Sequence, residues 1–89
     1  MGRLSDDAFL ALLGEHRHEL YRFVLRNVWN PSAAEDVFAG AVQVAWRQLD
    51  HFQPGSNFRA WMYRILTNKC FVANRETQRS SIDLDSIDE

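Results

Sequence analysis

Between Glu15 and Trp29 the apolar residues Leu20, Phe23, Val24 and Val28 recur at steps of three and four, the period of a helix with one face packed inward. Upstream, Ser5-Asp6-Asp7 reads as an N-cap and acidic first turn for a helix carrying Phe9, Leu12 and Leu13, which Gly14 weakens. Asn30-Pro31-Ser32 breaks the pattern. Ser32 followed three residues on by Glu35 is a capping-box spacing, so a second long helix is expected to start there. Its inward side is Ala34, Phe38, Ala41, Ala45 and Leu49, flanked by Val42 and Trp46, and Glu35, Ala39, Gln43 and Arg47 are left outside. Asp50 to Asn57 is turn-rich and centred on Pro54-Gly55. A third helix follows, from about Phe58 to Arg79. Met62, Leu66, Cys70 and Ala73 form its inner stripe, bordered by Ile65 and Val72. Tyr63, Arg64, Thr67, Asn68, Phe71, Asn74, Arg75 and Gln78 fall on the other face. Ser80 to Glu89 is acidic with isolated Ile82, Leu84 and Ile87, and reads as a linker or frayed tail.

Three periodic segments and no strand-like alternation predict an all-α bundle of three to four helices, with the first two long helices antiparallel and the third across them. The 89 residues suffice for one small core, here residues 1–79, with 80–89 as the tail. No stretch approaches the roughly 20 apolar residues of a membrane span, and no charged-then-apolar leader begins at Met1. A soluble, cytoplasmic chain without membrane partners is expected. Cys70 is the single cysteine, which fits a reducing compartment. With His16, His18 and His51 scattered, no metal-ligand spacing arises, and no cofactor is expected.

The net charge of -2 conceals a division. Residues 1–55 carry five basic and seven acidic side chains, residues 56–79 five basic and one acidic, and residues 80–89 four acidic and none basic. A basic block of that size beside an acidic tail points to a polyanion partner for one segment only. Within it Arg64, Lys69, Arg75 and Arg79 are phosphate-neutralising cations, Asn68, Asn74 and Gln78 are base-edge donors and acceptors, and Trp61, Tyr63 and Phe71 offer flat faces for unpaired bases. The charges alone leave two readings open, a nucleic-acid face and a solvated cationic face, and Trp61 taken singly reads as core packing because it borders the apolar arc. Catalysis has little to build on. Glu35 and Asp36 are adjacent, hence splayed about 100 degrees apart on a helix, and there is no phosphate loop or nucleophile motif.

Read in order, Ala34-Glu35-Asp36, Ala45-Trp46, Pro54-Gly55, Phe58-Arg59-Ala60-Trp61, Arg64-Ile65 and Asn68 resemble region 2 of the extracytoplasmic-function sigma factors of bacterial RNA polymerase. The resemblance covers roughly Leu20 to Arg79 and lies in the ordered combination. It implies a sigma region 2 bundle that binds polymerase and recognises and melts the promoter minus-ten element. The third helix and the loop before it then contact the non-template strand. On this chain the matching DNA-binding positions are Ser56, Asn57, Trp61, Arg64, Thr67, Asn68, Phe71 and Arg75. The loop from His51 to Asn57 would accept a base flipped from the melted strand, although from composition alone it reads as an ordinary turn. The second helix would dock on a coiled coil of the largest polymerase subunit through Asp36, Ala39, Gly40, Gln43 and Arg47. An anti-sigma factor is a further implied partner, and complete members of the family carry a second helical domain beyond such a linker, so the chain reads as a fragment or as a solitary region 2 domain.

Three positions, at two places, depart from the family pattern. Where the family usually shows Asp-x-x-Gln-Glu, this chain has Asp36-Val37-Phe38-Ala39-Gly40, which removes two polar side chains and places a helix-weakening glycine in the interface. Val72 stands where many relatives have aspartate. The alternative from another class is a helical protein-interaction module, an anti-sigma or polymerase-binding decoy without promoter function. A plain helix-turn-helix is disfavoured because no short glycine turn joins two short helices.

Overall fold

The computed structural model describes residues 4–88, with side chains over residues 4–79. Three α-helices make up the described chain: α1 (Asp6–Asn27), α2 (Ala34–Arg47) and α3 (Phe58–Asp88). Single 3-10 turns at Pro31–Ala33 and Leu49–His51 flank α2. The bundle is all-α, as the periodicity predicts.

Ser5 caps α1, its hydroxyl oxygen accepting from the Ala8 N–H at 3.1 Å, and Asp6 and Asp7 lie beside the positive end of the helix dipole. The helix then runs unbroken through Gly14, so the two N-terminal segments are one element. Glycine in a helix costs about 1 kcal/mol. Phe9 and Leu13 before it and Leu20 and Val24 after it are buried on one continuous face, each side chain contributing about 1.5–3 kcal/mol. Burial therefore outweighs the glycine.

The entry to α2 differs from the capping box expected of Ser32 and Glu35. Asn30 does the capping. Its Oδ1 accepts from the Ser32 N–H at 3.2 Å and from the Ser32 hydroxyl at 2.7 Å, while Pro31 opens the 3-10 turn where a missing N–H costs nothing. The Ser32 hydroxyl is thus a donor to Asn30, and α2 proper starts at Ala34 with no side-chain cap. The inward set of α2 is the expected one, Ala34, Phe38, Ala41, Ala45 and, in the following turn, Leu49, with Val37 added. Ala41 and Ala45 bury completely and let neighbouring helices approach closely.

α3 packs across both other helices through Met62, Ile65, Leu66 and Cys70, all buried, with Ala73 half-buried. Its border residue Val72 is 47% exposed. The helix continues to Asp88, past the end expected near Arg79. From Phe58 onward the sequence holds neither glycine nor proline, so no residue type interrupts the backbone ladder.

Candidate nucleic-acid interface

The connection between α2 and α3 is pinned at both ends by buried rings. Phe52 and Phe58 meet edge to face at 5.7 Å, Trp61 lies 4.9 Å from Phe52, and Phe9 reaches both Phe58 at 6.0 Å and Trp46 at 5.7 Å. Edge and tilted ring pairs of this kind add about 0.5–1.5 kcal/mol each beyond burial. The residues between the two anchors, 53–57, are all exposed. Proline then glycine at the two central positions, with Gly55 at φ 90°, is the pattern of a type II turn, and the Ser56 N–H closes it onto the Gln53 carbonyl at 3.0 Å. The Ser56 hydroxyl donates to the same carbonyl at 2.6 Å. Asn57 caps α3, its Oδ1 accepting from the Ala60 N–H at 3.1 Å, and its carbonyl accepts from the Trp61 N–H.

Beyond the loop, Arg64, Thr67, Asn68, Phe71 and Arg75 are all exposed on α3. At 100 degrees per residue, Arg64, Asn68, Phe71 and Arg75 share an arc of about 60 degrees. Phe71 is 61% exposed, and the Arg75 guanidinium lies 5.8 Å from its ring centroid. An exposed aromatic face framed by cations is what a stack of unpaired bases on a phosphate backbone needs. Trp61 is half-buried in the ring cluster, so only part of its ring is open to this stripe.

Three other side chains of the basic block are engaged elsewhere. Tyr63 is half-buried with its ring 4.8 Å from Phe23, and its hydroxyl donates to Glu19 at 2.7 Å. Asn74 ties α1 to α3, accepting from the Trp29 N–H at 2.9 Å and donating to the Asn27 carbonyl at 3.0 Å. The Lys69 tail turns toward α2 and lies beside Gly40. A base-edge role for Asn74, a free stacking face for Tyr63 and a place for Lys69 in the phosphate stripe are therefore corrected by packing, since Asn74 and Tyr63 lie on the flank of α3 that meets α1 and Lys69 on the flank that meets α2.

On α2, Asp36, Ala39, Gln43 and Arg47 are exposed and Gly40 half-exposed, together forming one outward stripe. Gln43 and Arg47 edge an apolar cleft of about 420 Å³ formed by Phe9, Leu10, Val42 and Trp46. Asp36 and Gly40 edge a groove of about 310 Å³ toward Lys69, Val72 and Glu76 on α3.

One polar cluster escaped the periodicity because Glu19 lies 40 or more residues from its partners. Glu19 on α1 accepts from the Arg59 guanidinium through both carboxylate oxygens and from Tyr63. The Arg59 hydrogen bonds, then that of Tyr63, hold the Glu19 carboxyl below its ordinary range, and the same contact raises Arg59. Burial first, then the bond to Glu19, pushes the Tyr63 hydroxyl up. Burial likewise raises the Cys70 thiol, which makes it a core side chain and a poor nucleophile. Among the described residues no cluster of metal-ligating side chains is present, and no helix is long and apolar enough to cross a membrane.

A short helical bundle whose pinned loop leads into a cationic, aromatic helix face defines the class, and comparison places the chain within it. Residues 12–80 match the family described as Sigma-70 region 2, and the chain belongs to that family. It is 32% identical over 64 residues to the ECF RNA polymerase sigma factor SigW of Bacillus subtilis, covering 72% of this chain and 34% of that protein. It is 34% identical over 61 residues to the RNA polymerase sigma-H factor of Pseudomonas aeruginosa, covering 68% and 32%. Similarity to the ECF RNA polymerase sigma-E factor of Escherichia coli extends over 87 residues at 33% identity, covering 94% and 44%. The chain therefore spans between about a third and under half of the length of these relatives.

Proposed function

We propose that this chain is the part of a sigma factor that joins RNA polymerase in the cytoplasm and recognises and opens the promoter minus-ten element. The observation that carries the reading is the outward stripe Arg64, Thr67, Asn68, Phe71 and Arg75, which continues directly from the exposed turn 53–57. Arg64 and Arg75 hold phosphates of the non-template strand. Phe71 receives an unstacked base, Asn68 and Thr67 pair with base edges, and Ser56 and Asn57 border a base turned out at the loop. Trp61 supports this edge from the ring cluster. The cost of unpairing is offset by stacking and phosphate contacts, so the role is one of binding and needs no cofactor.

The outer stripe of α2, Asp36 to Arg47, docks on the coiled coil of the largest polymerase subunit, and residues 80–89 serve as an acidic linker. An anti-sigma factor that covers either stripe silences the domain. The test is binding of the 89-residue chain to single-stranded non-template minus-ten oligonucleotides against the duplex of the same sequence. Preference for the single strand is expected, with affinity falling steeply as salt rises. Equal or absent binding to both overturns the reading in favour of a protein-interaction module.

A further inference from the structure

The Glu19 cluster spans α1 and the first two turns of α3 and has no part in the phosphate stripe. Glu19 Oε2 accepts from Arg59 Nε at 3.0 Å, from the Arg59 Nη2 and from the Tyr63 hydroxyl at 2.7 Å, and Oε1 accepts from Nε at 3.2 Å. The guanidinium lies 5.9 Å from the Tyr63 ring centroid. His16, one turn before Glu19, brings Nδ1 to 3.8 Å from Oε1 and stacks its ring 6.0 Å from that of Phe58. The cluster thus adjoins the loop's downstream anchor, because Phe58 precedes Arg59 and the cap of Asn57 falls on Ala60.

The contacts that seat the loop are of two kinds. The rings of Phe52, Phe58 and Trp61 hold the loop ends by apolar burial and by edge and tilted ring geometry. A carboxylate held by two nitrogens of one guanidinium and by a phenol has directional geometry and tolerates little rotation. Building on the promoter reading above, we infer that Glu19 is a positioning residue. By gripping Arg59 and Tyr63 it tightens the rotation of the start of α3, which buried Phe58 and Met62 set, and through it the pose of the turn 53–57 that receives the unpaired base. Arg59, thus neutralised, stays out of the phosphate stripe. An exposed ion pair adds little to global stability, so this effect separates from folding.

The experiment uses the 89-residue chain as parent, Glu19→Gln, and the charge swap Glu19→Arg with Arg59→Glu. Two readouts are taken. The first is amide hydrogen exchange at Ala60 and Trp61, whose N–H groups are bonded to Asn57, against Leu20 and Leu66 in the core. Glu19→Gln is expected to speed exchange at the first pair several-fold and leave the second unchanged, and the swap to restore it. The second is the affinity for single-stranded oligonucleotides carrying each base at one central position, relative to an abasic counterpart. For the preferred base the parent ratio is expected near about tenfold, within what one stacked base contributes. In Glu19→Gln it falls toward unity with the salt slope unchanged.

Unaltered exchange at Ala60 and Trp61 overturns the positioning role whatever the DNA result. Tighter binding with a steeper salt slope also overturns it, because Glu19 would then be masking Arg59 from phosphates. If the parent binds no oligonucleotide while exchange responds as expected, the promoter reading fails and the positioning of the loop by Glu19 stands.

Discussion

α2 and α3 each present one stripe to the outside, and the two are built in opposite ways. The α3 stripe carries long reaching groups, Arg64, Asn68, Phe71 and Arg75, with a guanidinium set against an exposed ring. The α2 stripe keeps Asp36, Gln43 and Arg47 but has Ala39 and Gly40 at its middle, between two flanks: Leu10, 55% exposed, and Trp46 on one side, Lys69 and Val72 on the other. A face of the first kind grips a flexible polyanion, whose phosphates and bases come to the side chains. The second kind offers hollows and suits a convex, preformed partner such as a helix. On the proposed reading the same small bundle uses reach for DNA and relief for polymerase, and the two can be altered independently.

Their common support is the core, and removing it gives the largest effect. Leu66 is fully buried on the inner side of α3, in the core cluster shared by the helices that bear both stripes. Leu66→Ala is expected to cost about 2–5 kcal/mol through the cavity left behind. For a domain of this size that lowers the melting temperature by many degrees, followed by circular dichroism. Both binding activities should fall together in proportion to the unfolded fraction. A melting temperature within a degree or two of the parent would mean that the phase of α3 is misassigned and its outward stripe must be redrawn.

The next effect separates the faces. Phe71→Ala is expected to weaken single-strand binding by about 1–3 kcal/mol, the worth of one base–aromatic stack. Arg64→Ala and Arg75→Ala should each reduce the salt slope by about 0.7 to 1. Asn68→Ala should weaken binding without changing that slope. None of the four touches the core, so helicity should hold, and affinity for a polymerase coiled-coil fragment should match that of the parent. A loss of helicity with unchanged binding per folded molecule would sink the assignment of this stripe to DNA.

These contrasts also mark what was legible in the chain. The inner stripes of α2 and α3 follow from period and burial alone, because Ala41, Ala45, Met62 and Leu66 are apolar at helical spacing and nothing competes with them. Local choices were harder. Gly14 ends nothing because burial on both sides of it outweighs a weak propensity, and Asn30 takes the cap expected of Ser32 because Pro31 begins the turn one residue earlier. On α3 the wheel divided inside from outside but gave no sign of which flank meets a neighbour. Tyr63 and Asn74 therefore looked like free polar groups, yet their partners are Glu19 and the end of α1. Glu19 itself carries no local signal, since its meaning depends on a residue 40 positions away.

The smallest expected effect tests whether the hollow on α2 matters. A Cβ added at Gly40 would lie 3.6 Å from Lys69 Cε and 3.7 Å from its Nζ, ordinary contact distances, so a side chain fits without displacing α3. Replacing glycine within a helix contributes somewhat under about 1 kcal/mol, and a carboxylate there would stand beside the Lys69 ammonium. Ala39→Gln with Gly40→Glu is therefore expected to raise the melting temperature slightly and to strengthen binding to the largest-subunit coiled coil, by restoring the two polar groups of the family pattern. Asp36→Ala should weaken that binding by removing an exposed carboxylate from the same stripe. DNA affinity should be unchanged in both, since the α3 stripe is untouched. The comparison that decides is the affinity of parent, double variant and Asp36→Ala for one isolated coiled-coil fragment. If the double variant binds more weakly than the parent, the recess at Ala39-Gly40 is itself the contact, and this chain engages its partner by shape where the family pattern relies on charge. Three equal affinities would instead remove α2 from the interface, leaving the α3 stripe as the sole functional face of the pair.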